Sequence, residues 1–361
     1  MKAVVMNGFG GPEVLRLVDL PDPVPGPGEV VVEVHAVSVN RTLDLAVRAG
    51  QYVRRPPLPH VLGVDPAGVV VACGPGVTSP APGARVFVNL FVPSDAPDAV
   101  FVREVGRVKL LGVDLPGGYA QRVAVPAANT HPVPDGLSFE QAVVIGRHGA
   151  TAINLIERRA QVRPGERVLV MGASGGLGSL AVQIAALAGA RVIAAAGSAA
   201  RAASARALGA TGVVDYRAAD LEAAVMELTD GSGVDVVCDN VGDPELWPAA
   251  FRTLALGGRL VTAGAHAGGE VALDLRRLYL RRLQIIGDGS EAPDGLARSF
   301  ALAAEGRLTG LVDRCYPLAD AIEAHRRVAA RDGIGKVILW PQNATGRRSG
   351  TAPGGGEGEG G

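Results

Sequence analysis

Residues 172–178 read Gly172-Ala173-Ser174-Gly175-Gly176-Leu177-Gly178, and a turn of this composition is suited to holding an anion on bare backbone. Gly172 permits a sharp exit from a strand. Gly175 and Gly176 let backbone N–H groups approach a pyrophosphate with no Cβ in the way, and Gly178 lets a following helix sit close on a sheet. The helix N-terminus adds unpaired donors and the positive end of its dipole. Glycine is abundant, 50 of 361 residues, so the pattern alone carries little weight and its flanks decide. Val168–Met171 is a short apolar run, a long small-residue helix follows the turn, and Arg191–Ala196 is a second apolar run. Strand, tight turn, helix and strand together predict a dinucleotide-binding unit, with Ser174, Gly175, Gly176 and Leu177 at the phosphates.

The end of the second strand sets the expected cofactor. An NAD-selective unit places Asp or Glu there to accept the ribose hydroxyls. Here the sequence is Gly197-Ser198-Ala199-Ala200-Arg201, without an acid. Ser198 can donate to a phosphate oxygen and Arg201 can pair with it, so NADPH (NADP+) is expected over NADH. The alternative leaves Arg201 as a solvated helix residue beside Arg206.

These residues need two domains to position them, and 361 residues suffice. The first 130 residues hold short β-branched runs between Pro and Gly turns: Val30–Val37, Gly68–Ala72 and Ala84–Val88. They predict a compact, largely antiparallel β domain. From about residue 138, helical segments alternate with the strands Arg167–Met171, Arg191–Ala196, Gly212–Asp215, Val234–Asp239, Arg259–Gly264 and Leu283–Gly287. That alternation predicts an α/β fold with a doubly wound parallel sheet. Ala297–Gly306 and Leu318–Ala330 read as helices, and Lys336–Trp340 as a last strand. The tail from Gln342 has no apolar periodicity and is expected to be disordered.

A net charge of −1 argues against a nucleic-acid or membrane-surface partner. No apolar run approaches the roughly 20 residues of a membrane span, and no signal peptide is visible, so a cytoplasmic protein is expected. Cys73, Cys238 and Cys315 are too scattered for a disulfide framework or a metal cluster.

A set of segments in order carries a family resemblance: Gly63–Gly68, Gly83–Val86, Gly117–Ala120, Pro164–Val170, Asp239–Gly242, Gly257–Val261 and Gly335–Leu339. The chain resembles the medium-chain dehydrogenase/reductase superfamily over about residues 1–340. The resemblance implies a GroES-like catalytic domain over 1–128, a Rossmann dinucleotide-binding domain over 129–287 and a C-terminal return over 288–341 that completes the first domain. The tail is 342–361. It also implies an active site between the domains, and a homodimer or homotetramer formed through the edge strand of the dinucleotide sheet.

The metal-dependent branch of that family places zinc ligands at three positions, which here carry Asn40, Val64 and Arg147. A valine and a cation do not make a catalytic zinc site. The segment 89–116, which keeps about the length of the family's structural-zinc lobe, has no cysteine. The chain therefore resembles the zinc-independent, quinone oxidoreductase-like branch, and no metal is expected. The expected activity is NADPH-dependent hydride transfer to a conjugated carbonyl: an enone, a quinone or an enoyl-type substrate. A metal-free carbonyl or alcohol oxidoreductase and a catalytically silent cofactor-binding protein are the alternatives.

By the same resemblance, Asn40 bonds near the nicotinamide ribose or the substrate carbonyl, or else caps a turn. Thr42 donates to substrate or ribose, or caps a helix. Arg41 reaches the pyrophosphate, or is solvated. Tyr52 and His60 sit on a substrate-cleft rim, where either could donate a proton, or else are packed or exposed loop residues. Arg147 and His148 stand near the vacated zinc position. A cation there could hold a carbonyl oxygen or a substrate carboxylate, or else pair with Asp65 or Asp44. Thr151, Gly197 and Tyr216 join the cofactor set, the tyrosine of Asp215-Tyr216-Arg217 flanking the adenosine phosphate. Asn240, Val241, Gly264, Ala265 and His266 line the nicotinamide, and Lys336 contacts the cofactor.

Overall fold

The computed structural model describes residues 1–93 and 108–343, so half of the 89–116 lobe and nearly all of the 342–361 tail lie outside the described residues. The chain divides into two units, Met1–Val143 with Val312–Gly361, and Val144–Leu311. These divisions differ from those expected at 128 and 287, for physical reasons. Thr130–Pro132 pairs with Arg85–Val88 of the first unit. The helix from Gly295 packs on Ala150 so closely that a Cβ on Gly295 would lie 2.8 Å from the Ala150 Cα.

The first unit begins with β1 (Lys2–Met6), β2 (Leu15–Asp19) and β3 (Glu29–Val39). A π-helical turn, Arg41–Leu45, leads into the single-turn α1 (Ala46–Arg48). Strands β4 (His60–Val61), β5 (Ala67–Cys73), β6 (Arg85–Val88), β7 (Phe91–Pro93), β8 (Val108–Leu110), β9 (Arg122–Pro126) and β10 (Thr130–Pro132) follow, then α2 (Phe139–Ile153). The second unit runs β11 (Arg167–Met171), α3 (Gly176–Leu187), β12 (Arg191–Ala196), α4 (Ala199–Ala207), β13 (Gly212–Asp215) and α5 (Leu221–Leu228). It continues β14 (Val234–Asp239), α6 (Leu246–Arg252), β15 (Leu254–Thr262), α7 (Leu275–Leu280), β16 (Gln284–Gly287) and α8 (Gly295–Ala304). The chain then returns to the first unit with β17 (Val312–Pro317), α9 (Ala321–Ala330) and β18 (Lys336–Trp340).

In the first unit β2-β1-β4 form one small sheet. The larger sheet has the order β10-β6-β5-β3-β18-β17, with β9 also on β3. Strand β18 pairs antiparallel with β3, placing Val337 opposite Val39. This register brings the start of β18 beside the end of β3, and the candidate residues Lys336 and Asn40 with it. Tyr316, Leu318, Ala321 and Ala324 of the return are buried in the same core as Val30, Val32 and Val37. The segment from Val312 thus belongs to the first unit.

The second unit is a six-stranded sheet, β13-β12-β11-β14-β15-β16, with every pairing parallel. Its central strands are apolar almost throughout because helices cover both faces; Val168–Met171 and Val192–Ala196 are all buried. Strand β15 starts earlier than the sequence suggests, at Leu254. The Gly257-Gly258 pair reads as a break yet lies within the strand, beside a register shift opposite Val234–Val236. No helix among the described residues is long and apolar enough to cross a membrane.

Candidate active site

The glycine turn is built as its sequence requires. Gly172 leaves β11 with φ +64°, a backbone state that costs most residues about 1–2 kcal/mol. A Cβ on Gly178 would lie 2.2 Å from the Gly172 carbonyl oxygen, so only glycine lets α3 start this close to the turn. Gly175 is the N-cap of α3 in an extended conformation and offers no side chain. The first N–H groups of α3 have no partner within the helix, which suits a pyrophosphate. Ser174 is buried in the turn.

Around the end of β12, Ser198 caps α4, its Oγ accepting from the Arg201 N–H at 3.4 Å. Strand β13 ends at Asp215, whose carboxylate accepts from the Arg217 N–H at 3.0 Å. A Cβ on Gly197 would meet the Tyr216 hydroxyl at 3.0 Å and the Arg217 Nε at 3.2 Å. The phenol and the guanidinium therefore both come to Gly197, which keeps its space by having no side chain. Arg217 was missing from the sequence-derived set, although the Tyr-Arg pair after the strand was its signal.

The loops after β14 and β15 touch each other. Asp239 is buried and accepts from the N–H groups of Val241 and Gly242, both at 3.0 Å. Burial raises its pKa, and those two bonds pull it back. Asn240 is buried with its Oδ1 unpartnered. A Cβ on Gly264 would lie 3.0 Å from the Asn240 carbonyl oxygen and 3.1 Å from the His266 Nε2, and one on Gly242 would lie 2.9 Å from the Ala265 Cα. Asn240, Val241, Gly264, Ala265 and His266 are thus brought together at the end of the sheet, the last two exposed. On α2, Arg147 and His148 are half-buried and Thr151, one turn on from Arg147, is buried.

The first unit holds a buried polar cluster of its own. Asn40, at the end of β3, is 4 % exposed. Its Nδ2 donates to Ser38 Oγ at 3.0 Å and to Asp65 Oδ2 at 3.1 Å. Its Oδ1 accepts from the Lys336 ammonium. Asp65 also takes the Ser38 N–H at 2.9 Å and the Ser38 hydroxyl at 2.5 Å. Asp44 accepts from the Asn40 N–H at 2.7 Å and the Gly63 N–H at 3.0 Å. Burial first, and then the neighbouring Asp65, push the Asp44 carboxyl up to about 7, against the pull of those two N–H groups and Lys336. Both Asn40 side-chain groups are therefore engaged within the unit. The residue orients Lys336 and does not present a free donor. Lys336 was expected against the cofactor, and the structure joins it to Asn40. Asp65 and Asp44 were considered as partners for Arg147 and instead hold Ser38, Asn40 and Gly63.

Four further sequence-derived candidates lie in the first unit. His60 lies in β4 opposite Met6 and is 5 % exposed, not on a loop rim. Burial lowers its pKa, with the Gly112 backbone and Asp114 opposing, and its Nε2 has no partner. A short strand pairing within a proline-rich run hid this. Tyr52 packs against the core cluster. Thr42 is exposed within the π-helical turn, whose N-cap is Asn40. Arg41 donates to the Val328 carbonyl near the end of α9 at 3.3 Å. A further buried group escaped the sequence: Arg48 Nη1 lies 3.2 Å from His325 Nδ1, and His325 Nε2 lies 3.1 Å from the Tyr119 hydroxyl.

The residues at the three zinc positions do not fit a zinc ion. Asn40 accepts from an ammonium group, Val64 is a buried hydrocarbon and Arg147 is a cation. Among the described residues no three His, Cys, Asp or Glu side chains gather to hold a metal. The turn and the Gly197 cluster, in contrast, do fit a dinucleotide.

The alcohol dehydrogenase GroES-like domain family matches residues 26–135, and the zinc-binding dehydrogenase family matches residues 176–300. The rat quinone oxidoreductase is 30 % identical over 347 residues, spanning 94 % of this chain and 97 % of its own. The Salmonella typhimurium quinone oxidoreductase is 32 % identical over 349 residues, with 94 % and 99 % covered. A crystal structure of an NAD-dependent alcohol dehydrogenase superposes with a TM-score of 0.87 at 41 % identity, covering 94 % and 99 % of the two chains. Mycobacterial Rv1454c complexed with NADPH superposes with a TM-score of 0.78 at 33 % identity, covering 94 % and 100 %. A glycine turn built for a dinucleotide, a first unit completed by the C-terminal return, and relatives matched over nearly their whole length assign this oxidoreductase to the medium-chain dehydrogenase/reductase superfamily, quinone oxidoreductase-like branch.

Proposed function

We propose that the protein is a metal-free, NADPH-dependent reductase of conjugated carbonyl compounds, enones or quinones. The observation that carries this reading is the convergence of the Tyr216 hydroxyl and Arg217 Nε on Gly197. A cationic fork and a phenol at the end of β12, with no acid at Gly197–Arg201, suit a ribose 2′-phosphate and would leave ribose hydroxyls without an acceptor. Rv1454c, the relative solved with NADPH, supports the same cofactor.

Ser174, Gly175, Gly176 and Leu177 would hold the pyrophosphate on backbone N–H groups. Thr151, Asn240, Val241, Gly264, Ala265 and His266 would surround the nicotinamide. Bound NADPH supplies a hydride, and with one proton from solvent each turnover yields the reduced acceptor and NADP+. A conjugated acceptor suits a site whose zinc positions hold Asn40, Val64 and Arg147, because its developing negative charge spreads into an enolate. Fixed positive charge can then stabilise the oxygen in place of a metal. In the first unit Asn40 holds the Lys336 ammonium in one orientation, with Asp65 and Ser38 fixing the carboxamide. The exposed edge strand β16 and the apolar residues of α7 would join two copies into a homodimer, the smallest assembly the family resemblance implied.

The test is NADPH oxidation against a panel of quinones and enones, with NADH alongside and zinc measured in the purified protein. Turnover with NADPH preferred and no stoichiometric zinc is expected. One tightly held zinc per chain, or an NADH preference, would refute this reading. The alcohol dehydrogenase relative at 41 % identity favours a second one, carbonyl or alcohol oxidation–reduction. Alcohol oxidation with NAD+ in the absence of quinone or enone turnover would select it.

A further inference from the structure

Arg147 stands on α2 among Val144, Ile145, Ala150 and Thr151, all buried. Its Nε is buried without a hydrogen-bond partner, and no hydrogen bond or ion pair engages its guanidinium among the described residues. Its Nε is thus shut away from water with no hydrogen bond in return, while the rest of the half-buried guanidinium still reaches solvent. Other arginines with an unpartnered Nε are placed differently. Arg85 donates to the Leu137 carbonyl and stacks on Phe139. Arg277 donates to the Arg252 carbonyl. Arg281 follows α7, between the exposed Leu280 and Arg282. Arg147 alone of these lies in the middle of a buried helix.

The neighbouring groups on α2 sharpen the point. Gly149 and Ala150 face α8: a Cβ on Gly149 would meet Ser299 at 2.6 Å, and the Ala150 carbonyl accepts from the Ala292 N–H at 3.2 Å. Two residues before Gly149, Arg147 is turned by about 200° from it around the helix, and by about 60° from Ala150. Thr151 is its neighbour at i+4, a buried residue whose hydroxyl makes no hydrogen bond among the described residues. Asn154, the next polar residue on that face, is spent on Ser290. A planar fork of donors and a hydroxyl, one helical turn apart, are the groups that recognise a carboxylate.

We propose that Arg147, with Thr151, binds a carboxylate carried by the substrate, so that the physiological acceptor is an anionic conjugated carbonyl compound and not a neutral quinone. This rests on the reductase reading above and adds its substrate class. The guanidinium would hold the anionic end of the acceptor, which directs the other end toward reduction. An uncharged acceptor would leave the Nε without a partner, as it is in the free protein.

The test compares β-acetylacrylate with ethylideneacetone, which carries a methyl group where the first has its carboxylate. The ratio of kcat/KM for the anionic over the neutral acceptor, measured with NADPH, should fall about tenfold or more in Arg147→Ala, mainly through KM. Arg147→Lys should retain part of the ratio, because the charge remains and the fork is lost. Calorimetric titration of β-acetylacrylate into the full-length protein, with and without NADP+, should show the same loss of affinity. An unchanged ratio with unchanged titration overturns the proposal. So does a fall in NADPH affinity with the acceptor ratio intact, which would assign the guanidinium to the cofactor's phosphates. If neither acceptor is reduced, the reductase reading fails and the titration alone decides: binding lost in Arg147→Ala upholds the anion site, and equal or absent binding in both proteins removes it.

Discussion

Gly197 owes its lack of a side chain to two others. With the Tyr216 hydroxyl and Arg217 Nε each about 3 Å from where its Cβ would stand, any larger residue would displace both groups. Arg201, the residue the sequence nominated, contributes its backbone N–H to the Ser198 cap. We propose Arg217, whose Nε comes to Gly197, as a reader of the 2′-phosphate. Arg217→Ala should weaken NADPH binding by about 1–3 kcal/mol, the scale of a lost charge-assisted bond, and leave NADH binding nearly unchanged. Fluorescence titration of both cofactors checks it, and equal losses would remove Arg217 from that role. Sequence revealed the glycine turn because every group in it is local: a strand, seven turn residues and a helix read as one unit. It did not reveal that Asn40 would be tied to Lys336, almost 300 residues away, or that Asp65 would take both Ser38 and the Asn40 amide. The first contact goes with β18 pairing with β3 and the second with β5 pairing with β3, and pairing partners are not written in any one strand's own residues.

At the scale of elements, α9 is fastened to the first unit through His325. Arg48 is a donor only, so His325 Nδ1 must accept from it. We assign the ring proton to Nε2, which then donates to the Tyr119 hydroxyl. Burial, reinforced by Arg48, depresses the His325 pKa to about 3, below the unfolded value of about 6.5. The neutral ring therefore stabilises the fold fully above pH ~6.5, and that contribution is lost as pH falls from ~6.5 toward about 3. Asp44 acts in the opposite direction. Its raised pKa contributes stability below about pH 4 that is lost as pH rises toward about 7. The wild-type slope therefore mixes both, and a variant must separate them. His325→Gln keeps a neutral polar side chain and cannot be protonated. Between pH 6 and pH 5 the wild type should lose stability relative to this variant by up to about 1.4 kcal/mol per pH unit. Urea unfolding at several pH values measures the difference, and parallel curves would show that His325 does not drive it. The sequence read α9 as a helix and β18 as a strand but missed β17 between α8 and α9. Val312-Asp313-Arg314 has no alternation to reveal it, and the register shift against β18 at those residues shows why.

At the scale of the whole molecule, the six-stranded sheet ends at β16, which among the described residues pairs on one side only, with β15. Beside it Leu256, Leu275, Tyr279 and Leu280 are 68 %, 65 %, 67 % and 62 % exposed. Scattered single apolar residues need no explanation, but four in one region beside an open strand edge form a patch that monomers rarely keep. A two-fold axis across β16 would pair that edge with its copy and cover α7 with the partner's α7, an isologous contact that closes after two chains. The same segment carries Arg276, Arg277, Arg281 and Arg282, which a two-fold axis brings toward their own copies. Apolar burial would then favour the dimer while like charge opposes it, and salt should decide between them by screening the charge over about 8–10 Å near physiological ionic strength. Light scattering at micromolar concentration should give a dimer at 0.15 M salt, with dissociation increasing as salt is lowered. Leu280→Glu places an acid inside the patch and should give a monomer whose thermal stability no longer depends on protein concentration. A wild-type monomer at every salt concentration would leave the patch and the open edge without this partner.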